Sequence, residues 1–304
     1  MAREQYINQV RLLVDILPAV ANEKEFALKG GTAINLFYRD LPRLSVDIDL
    51  TFLPIRERTQ SLADIDGAMD RIAEAGSKVR GVTSSRIAGG GGGATRVLFQ
   101  RGAATVKVET SPVTRGVVFE SKIKRVSPAV EDEFGYAETR LVAFEDLYAG
   151  KLHAALDRQH PRDLFDVKLL YENEGITDDL FRAFLVYVAS SSRPPHELLN
   201  PNLVPLTNAF EAEFSGMTVD AVSVAELERV RAKLIEDVKY RLTDSAAQLL
   251  RTLVRGKPDF EAIGLPSAAN LPAVQWKLQN IQKLRNTNPE KHIAQLESLE
   301  SLLS

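Results

Sequence analysis

The chain has 304 residues, of which 44% are hydrophobic and 26% are charged, and these proportions are typical of an ordinary globular protein. It contains no cysteine, which excludes disulfides and thiolate metal sites, and a formal net charge of −3 means that nucleic-acid binding would depend on local basic patches. The first residues lack the apolar core of a signal peptide, and no apolar run approaches the length of a membrane span. We therefore expect a cytoplasmic protein without membrane association.

The first predicted elements are an amphipathic helix and a strand–turn–helix–strand unit. Apolar residues at helical spacing predict a first helix that ends near Pro18. A strand over residues 25–29, a turn at Gly30-Gly31 and a short helix follow, and a second strand begins at Ser45.

Two aspartates on the second strand are the strongest functional signal in the sequence. Asp47 and Asp49 alternate with apolar residues and therefore share one face of the strand. Two such carboxylates repel each other unless hydrogen bonds or a cation offset the repulsion, and Mg²⁺ takes one or two carboxylates plus substrate phosphates. Upstream, Gly30 and Gly31 allow close backbone approach, and the helix start at Thr32 presents N–H groups to an anion. This order is the layout of a nucleotidyltransferase, although each motif alone is more often a solvated strand face or an ordinary turn.

In the next segment apolar and polar residues alternate, which predicts further strands of a mixed sheet. The patterns predict a helix over residues 65–75 and strands over residues 78–87, 95–100, 104–111 and 117–126. The glycine run over residues 89–93 lacks the Gly-Lys-Ser/Thr ending of a P-loop, so we interpret it as a mobile hairpin turn.

Glu109 is a candidate third carboxylate on one of these strands. Alternation puts it on the polar face of residues 104–111, together with Lys107. A lone strand glutamate is usually a solvated residue. Beside Asp47 and Asp49, however, Glu109 is a candidate to complete the metal shell or to deprotonate the attacking hydroxyl.

The pattern becomes helical after about residue 140. Lys151 lies at the edge of the apolar stripe of one predicted helix, and a second helix covers residues 162–173. Asp163 and Asp166, three positions apart, share one face of that second helix. Taken alone, Lys151 is a solvated helix residue and Asp166 is the partner of Arg162, four positions earlier.

The remainder of the chain is predicted to be helical. The sequence therefore predicts an α/β (α+β) fold, with an amino-terminal mixed sheet and flanking helices over residues 1–140 and an all-helical lobe over residues 141–304. Basic residues of the lobe form either an RNA-binding surface or solvated helix faces; they are Arg251, Arg255, Lys257, Lys277, Lys283, Arg285 and Lys291.

Four motifs carry a family resemblance. They are Gly30-Gly31-Thr32, Ser45-Val46-Asp47-Ile48-Asp49, Gly150-Lys151-Leu152 and Pro161-Arg162-Asp163-Leu164-Phe165-Asp166. With them, residues 26–52 and 144–170 resemble the AbiEii-type abortive-infection toxins, a nucleotidyltransferase family that includes the MenT toxins of mycobacteria. The family typically has Gly-Ser before its Asp-x-Asp. Here Gly31 replaces that serine, and Thr32 is the alternative source of a hydroxyl.

The resemblance implies an activity, a cofactor and partners. It implies a toxin that uses Mg²⁺ or Mn²⁺ to move nucleotides from an NTP onto an RNA acceptor, the tRNA 3′ end in the characterised toxins, and so blocks translation. It also implies a cognate antitoxin protein that counters this activity. Two alternatives remain. The enzyme could transfer the nucleotide to a protein or a small molecule and not to RNA, or the chain could be a non-catalytic module that binds a nucleotide or a partner.

The resemblance also assigns roles to residues. The implied catalytic residues are Asp47, Asp49, Glu109, Lys151 and Asp166, with Asp47, Asp49 and Glu109 as metal ligands. The implied nucleotide-binding residues are Gly30, Gly31, Thr32, Lys151 and Asp163. In these roles Lys151, contributed by the helical lobe, neutralises charge on the phosphates in the transition state, and Asp163 and Asp166 orient Lys151 or the nucleotide.

Overall fold

The computed structural model describes residues 2–89 and 93–304, so the centre of the predicted glycine hairpin, residues 90–92, lies outside the described residues. The chain folds as two compact units. The first unit comprises Met1–Ala143 and Met217–Asp220, and the second comprises Phe144–Gly216 and Ala221–Ser304.

The first unit is built on a mixed seven-stranded sheet within the described residues. Its strands are β1 (Phe26–Lys29), β2 (Ile48–Phe52), β3 (Thr83–Gly89), β4 (Gly93–Arg101), β5 (Ala104–Thr110), β6 (Lys122–Arg125) and β7 (Glu138–Leu141). Their order across the sheet is β3-β4-β5-β2-β1-β7-β6. β2 is antiparallel to β1 and parallel to β5, which places the aspartate strand near the centre of the sheet. The predicted fold class, a mixed sheet followed by helices, is confirmed.

Burial of alternate residues explains why β2 and β5 form the centre of this sheet. Ile48, Leu50 and Phe52 are buried, whereas Asp49 between them remains partly exposed. β5 repeats the pattern, with Val106 and Val108 buried and the residues between them partly exposed. The predicted separation of apolar and acidic faces is thus confirmed for β2.

Four helices, α1 (Ala2–Ala21), α2 (Gly30–Phe37), α3 (Arg58–Ser77) and α4 (Pro128–Phe134), complete the first unit. The prediction that α1 ends near Pro18 is wrong, because the helix continues to Ala21. A proline inside a helix costs about 3 kcal/mol. Leu17 on one side of Pro18 and Val20 on the other are both buried, and each such side chain contributes about 1.5–3 kcal/mol. Burial therefore outweighs the break at the proline.

Two short elements of the first unit were not predicted, and three strands begin several residues later than predicted. β2 begins at Ile48 and not at Ser45, so Asp47 lies just before the strand, and β3 begins at Thr83 and not at residue 78. β6 covers only Lys122–Arg125 of the predicted residues 117–126. The missed elements are α4 and β7, which have seven and four residues. Elements this short carry too few apolar residues to show a period.

The second unit is helical, as predicted. Its helices are α5 (Phe144–Asp157), α6 (Pro161–Asn173), α7 (Asp178–Ala189), α8 (Pro195–Leu199), α9 (Thr207–Glu213), α10 (Val224–Tyr240), α11 (Asp244–Val254), α12 (Pro272–Thr287) and α13 (Pro289–Leu303). Across residues 2–89 and 93–304, no helix is both long and apolar enough to cross a membrane.

Local capping fixes where α6 begins. The Nδ1 atom of His160 accepts a hydrogen bond from the backbone N–H of Arg162 at 3.1 Å, and Pro161 is the first helical residue. His160 is thus the N-terminal cap of α6. The cap sets the start of the helix that carries Asp163 and Asp166.

Candidate active site

The turn between β1 and α2 is shaped by the side chain of Asp49. Gly30 has a φ of +77°, a backbone conformation that favours glycine. A Cβ atom at Gly30 would also lie only 2.6 Å from Oδ2 of Asp49. Glycine is therefore required at this position both by its φ angle and by the closeness of the carboxylate.

Thr32 connects α2 to the segment that carries the aspartates. Its Oγ1 donates a 2.5 Å hydrogen bond to the backbone carbonyl of Asp47 and lies 3.2 Å from Oγ of Ser45. The Thr32 side chain is buried. Its hydroxyl is thus already engaged in holding the backbone of Asp47 in place.

A row of four charged residues crosses the sheet at the level of Asp49. Asp49 lies opposite Lys29 of β1 and opposite Glu109 of β5. Glu109 in turn lies opposite Arg96 of β4. The prediction that the Glu109 strand lies beside the Asp49 strand is therefore confirmed. Like charges directly opposite each other are destabilising, and here the two neighbouring carboxylates have a cation on either side.

Glu109 is paired with two cations. Its Oε2 lies 3.0 Å from Nε of Arg96 and 3.2 Å from Nζ of Lys107. Lys107 also lies 3.9 Å from Oδ2 of Asp47, whose side chain is 51% exposed. Lys107 is therefore a cation between two of the predicted metal ligands.

Lys29 is the second cation that acts on these carboxylates. Burial lowers the pKa of the Lys29 ammonium, and the nearby carboxylates of Asp49 and Glu109 oppose this change. The carboxylates thus favour the charged form of a lysine that burial would make easier to deprotonate.

The three predicted metal ligands, Asp47, Asp49 and Glu109, do not form a closed metal cage among the described residues. Among the described residues, no group of three or more histidine, cysteine or acidic side chains is arranged to hold a metal ion. Asp47 and Asp49 still match the ligand set of Mg²⁺, which binds through one or two carboxylates when substrate phosphates supply further oxygens. Glu109, the third predicted ligand, is paired with Arg96 and Lys107.

The second unit contains a buried ion cluster. Nζ of Lys151 lies 2.8 Å from Oδ1 of Asp163 and 2.9 Å from Oδ2 of Asp166. Lys151 is 7% exposed and both aspartates are fully buried. Lys151 is therefore not a solvated helix residue. Arg162, the alternative partner of Asp166, lies 3.8 Å from Glu213 instead.

Helical spacing explains how the cluster forms. Asp163 and Asp166 are three residues apart on α6 and share the face that meets Lys151 of α5. Arg158 approaches from the end of α5, with its Nε 2.6 Å from Oδ2 of Asp163. Burial alone would raise the pKa of Asp163, but Lys151 and Arg158 hold that pKa well below its usual range. Asp163 is therefore a carboxylate at neutral pH.

The predicted basic surface of the second unit loses one member. Lys277 is 7% exposed, and its Nζ donates a 2.8 Å hydrogen bond to the carbonyl of Arg193. Burial lowers its pKa to about 8. Arg251 is paired with Glu300 at 2.7 Å. Lys277 thus connects α12 to the loop before α8 and does not belong to an exposed surface.

Several residues around these groups were not singled out from the sequence. The sequence pattern could have pointed to Lys107, since alternation puts it on the same strand face as Glu109. It could also have pointed to Arg158, because Arg158 lies about two helical turns after Lys151. No sequence pattern pointed to Arg43, since the connection between α2 and β2 has no regular repeat of apolar residues.

Comparisons with known proteins identify a family and a solved structure to which this chain is similar. The family profile described as "Nucleotidyl transferase AbiEii toxin, Type IV TA system" matches residues 11–280. Among solved structures, the chain is similar to MenT4, a nucleotidyltransferase toxin from Mycobacterium tuberculosis H37Rv, with 16% identity and a TM-score of 0.59. That similarity covers 91% of this chain and 92% of MenT4, and at this identity it concerns the fold alone. No curated protein matches the chain.

Proposed function

This chain belongs to the AbiEii family of nucleotidyltransferase toxins, and we propose that it transfers nucleotides from an NTP to an RNA acceptor, the 3′ end of a tRNA, and so blocks translation. The observation that carries the proposal is the approach of Asp49 to the glycine turn that begins α2. A metal ion held by this carboxylate would lie near the start of α2, where backbone N–H groups favour a phosphate. A tRNA acceptor would place the activity in the cytoplasm.

We assign the divalent cation, Mg²⁺ or Mn²⁺, to Asp47 and Asp49. When bound, it would supply positive charge against the triphosphate of the NTP. Thr32 holds the backbone of Asp47 at 2.5 Å and thereby orients one of these ligands. Gly30 and Gly31, the first two residues of α2, are the proposed contacts of the terminal phosphates.

The remaining roles rest on the family resemblance. Lys151 neutralises the negative charge that develops on the phosphates in the transition state. Asp163 and Asp166, at 2.8 and 2.9 Å from Nζ of Lys151, hold that ammonium in one geometry. Glu109 accepts the proton of the attacking hydroxyl, and pyrophosphate leaves the NTP as the new phosphodiester bond forms. Arg96 and Lys107, at 3.0 and 3.2 Å, hold the Glu109 carboxylate in place.

A labelling assay tests the proposal. The protein is incubated with each of the four radiolabelled NTPs and total tRNA in Mg²⁺ or Mn²⁺. We expect label on tRNA with at least one NTP, and no label with Asp47→Ala. Asp132→Ala, which removes an exposed aspartate of α4, is the matched control and should retain activity.

The location of the label decides between acceptors. Label on tRNA that is released by nuclease treatment of the 3′ end supports the proposal. Label on a protein or a small molecule, with none on RNA, replaces the acceptor while retaining the enzyme class. Absence of transfer with every NTP in either metal would overturn the proposed reaction.

The family also implies an antitoxin that neutralises this chain. We propose that the antitoxin is encoded beside the toxin gene and acts on the transfer reaction. Co-expression should restore growth that the toxin alone inhibits. If Asp47→Ala inhibits growth as strongly as the wild type, inhibition does not arise from nucleotidyl transfer.

A further inference from the structure

The turn between α5 and α6 contains a residue in an unusual backbone conformation. Gln159 has a φ of +51°, in the left-handed region that disfavours residues with a side chain. Among the residues that the structure describes, nine glycines have a positive φ, but only Gln159 and Leu41 do so with a side chain. Glycine would adopt this conformation without strain, so the side chain of Gln159 must supply an interaction that offsets the cost.

The side-chain amide of Gln159 makes three hydrogen bonds. Its Nε2 donates to the carbonyl of Asn202 at 2.7 Å, and its Oε1 accepts from the backbone N–H of Val204 at 3.1 Å and from Nη1 of Arg231 at 2.9 Å. The same Nη1 of Arg231 donates a 2.5 Å hydrogen bond to the carbonyl of Val204. Gln159 is 4% exposed and Arg231 is 6% exposed. The turn is therefore fixed to α10 and to the connection between α8 and α9.

The two sequence neighbours of Gln159 both contact Asp163. Arg158 binds both carboxylate oxygens, with its Nε 2.6 Å from Oδ2 and its Nη2 3.1 Å from Oδ1. The carbonyl of His160 accepts a 2.9 Å hydrogen bond from the backbone N–H of Asp163. Asp163 in turn lies 2.8 Å from Nζ of Lys151. The conformation of Gln159 therefore determines where two contacts of Asp163 are placed, and through Asp163 it acts on the ammonium of Lys151.

The location of the strain distinguishes Gln159 from an ordinary buried glutamine. Hydrogen bonds of a buried amide stabilise the folded state wherever they occur. Here they hold the strained residue of a turn, directly between the two residues that contact Asp163. Backbone strain that the surrounding structure sustains is concentrated at functional sites.

We propose that Gln159 is a positioning residue of the transfer reaction, and that its amide fixes the turn so that Nζ of Lys151 keeps its place between Asp163 and Asp166. This inference rests on the proposed function, in which Lys151 acts on the phosphates, but not on the identity of the acceptor. Arg231 acts through Gln159, because its guanidinium holds the Oε1 atom of that amide.

Steady-state kinetics of label transfer test this role. Gln159→Gly removes the amide but adopts the positive φ without strain, so its effect reports the missing hydrogen bonds. It should lower kcat about tenfold and leave the KM of the NTP within about twofold, since Lys151 acts in the transition state. Arg231→Met should lower kcat as well, and Arg231→Lys, which keeps a donor for Oε1 of Gln159, should recover part of that loss.

A double-mutant cycle with Lys151 separates positioning from a general loss of structure. In the Lys151→Met background, the ammonium that Gln159 positions is absent. Gln159→Gly should then change the residual kcat by less than about twofold. A substitution that merely loosened the second unit would lower kcat by the same factor in both backgrounds.

Thr177→Ala is the matched control for stability. The Oγ1 atom of Thr177 accepts a 3.2 Å hydrogen bond from the N–H of Leu180 and caps α7. Loss of this cap should lower the melting temperature but leave kcat unchanged, because Thr177 takes no part in the turn at Gln159. Thermal unfolding is recorded for every variant. If Gln159→Gly does not fold, a lowered kcat in Gln159→Asn, whose amide is shorter, and in Arg231→Met supports the inference.

Three results would overturn the inference alone. They are a kcat within about twofold of the wild type in the folded Gln159 and Arg231 variants, a loss of about tenfold that persists in the Lys151→Met background, and an equal loss in Thr177→Ala. Absence of transfer by the wild type would remove the proposed function and this inference with it. Transfer to a protein or a small molecule would refute only the proposed acceptor, and the same cycle with that acceptor would decide the role of Gln159.

Discussion

The buried cluster of Lys151, Asp163 and Asp166 makes a strong prediction about stability. Lys151→Met keeps the length of the side chain and removes its charge, so two fully buried aspartates lose a partner at 2.8 and 2.9 Å. Breaking a buried ion pair by removing one partner costs about 3–5 kcal/mol. Asp163 keeps Arg158 at 2.6 Å, so we expect a loss near the lower limit, about 3 kcal/mol.

Thermal and urea unfolding, followed by circular dichroism, measure this loss. For a folding unit of 150–250 residues, about 3 kcal/mol corresponds to a decrease in melting temperature of about 6–12 °C. The decrease should depend on pH. Because the pKa of Asp163 is depressed in the folded protein, its contribution is present at pH 7 and is lost as the pH falls below about 4. The advantage of the wild type over Lys151→Met should therefore narrow in acid.

Lys168→Met is the matched control. Lys168 lies on α6 and forms a 2.7 Å pair with Glu172, but this pair is at the surface. Pairs of this kind contribute about 0.3–0.5 kcal/mol, so the control should unfold close to the wild type. The reasoning is refuted if Lys151→Met loses less than about 1 kcal/mol at pH 7, or if both lysine variants lose the same amount.

Four further predictions concern single residues. Asp47→Asn should keep the fold and lower label transfer by at least about a hundredfold, since it removes a carboxylate from the proposed metal pair. Thr32→Val should cost about 1 kcal/mol in urea unfolding and also slow transfer, because Asp47 loses its anchor. Lys107→Met should lower the Mn²⁺ concentration needed for half-maximal transfer, since a cation that competes beside Asp47 and Glu109 is removed. Lys277 has a pKa lowered to about 8, so the unfolded chain binds its proton between pH 8 and 10 while the folded chain does not. The stability of the wild type relative to Lys277→Met should therefore rise over that pH range.

Matched substitutions check two of these predictions, and stated outcomes would contradict the others. Thr32→Ser restores the hydroxyl and should restore transfer. Lys122→Met, on the exposed face of edge strand β6, should leave the Mn²⁺ requirement unchanged. Transfer by Asp47→Asn at the wild-type rate, or an equal Mn²⁺ requirement in Lys107→Met and the wild type, would contradict the proposed metal pair. A flat stability difference between pH 8 and 10 would contradict the buried ammonium of Lys277.

Much of the centre of the fold was predictable because it follows a simple period. Alternation along β2 and β5 predicted which apolar residues are buried, although Thr51, expected on the polar face of β2, is buried as well. The pairing of Asp49 with Glu109 followed from two polar faces in one sheet. Helical spacing predicted that Asp163 and Asp166 share a face, but not that the face is buried against Lys151. A sequence period indicates which side chains share a face of a helix or strand. How deeply that face is buried depends on what packs against it.

Other features depend on distant parts of the chain. The continuation of α1 past Pro18 depends on burial that a local pattern does not reveal. The use of the Thr32 hydroxyl by Asp47 depends on how the irregular connection before β2 folds back onto α2. The closeness of Arg43 to Gly31 likewise depends on that connection. Because such connections have no repeat, sequence reasoning had no basis for placing these side chains.

Met217–Asp220, the late segment that belongs to the first unit, has a consequence for the synthesis of this protein. Leu44 donates a 2.8 Å hydrogen bond to the carbonyl of Met217, and Val219 donates a 2.9 Å hydrogen bond to the carbonyl of Pro42. The connection between α2 and β2, which contains Arg43, therefore has its backbone hydrogen-bond partners much later in the chain. On the ribosome, residues 1–143 emerge well before that partner does. A nascent or truncated chain that stops at Ala143 retains Asp47 and Asp49 but lacks the backbone partner of the connection between α2 and β2. That connection therefore reaches its final structure only after the second half of the chain has been synthesised.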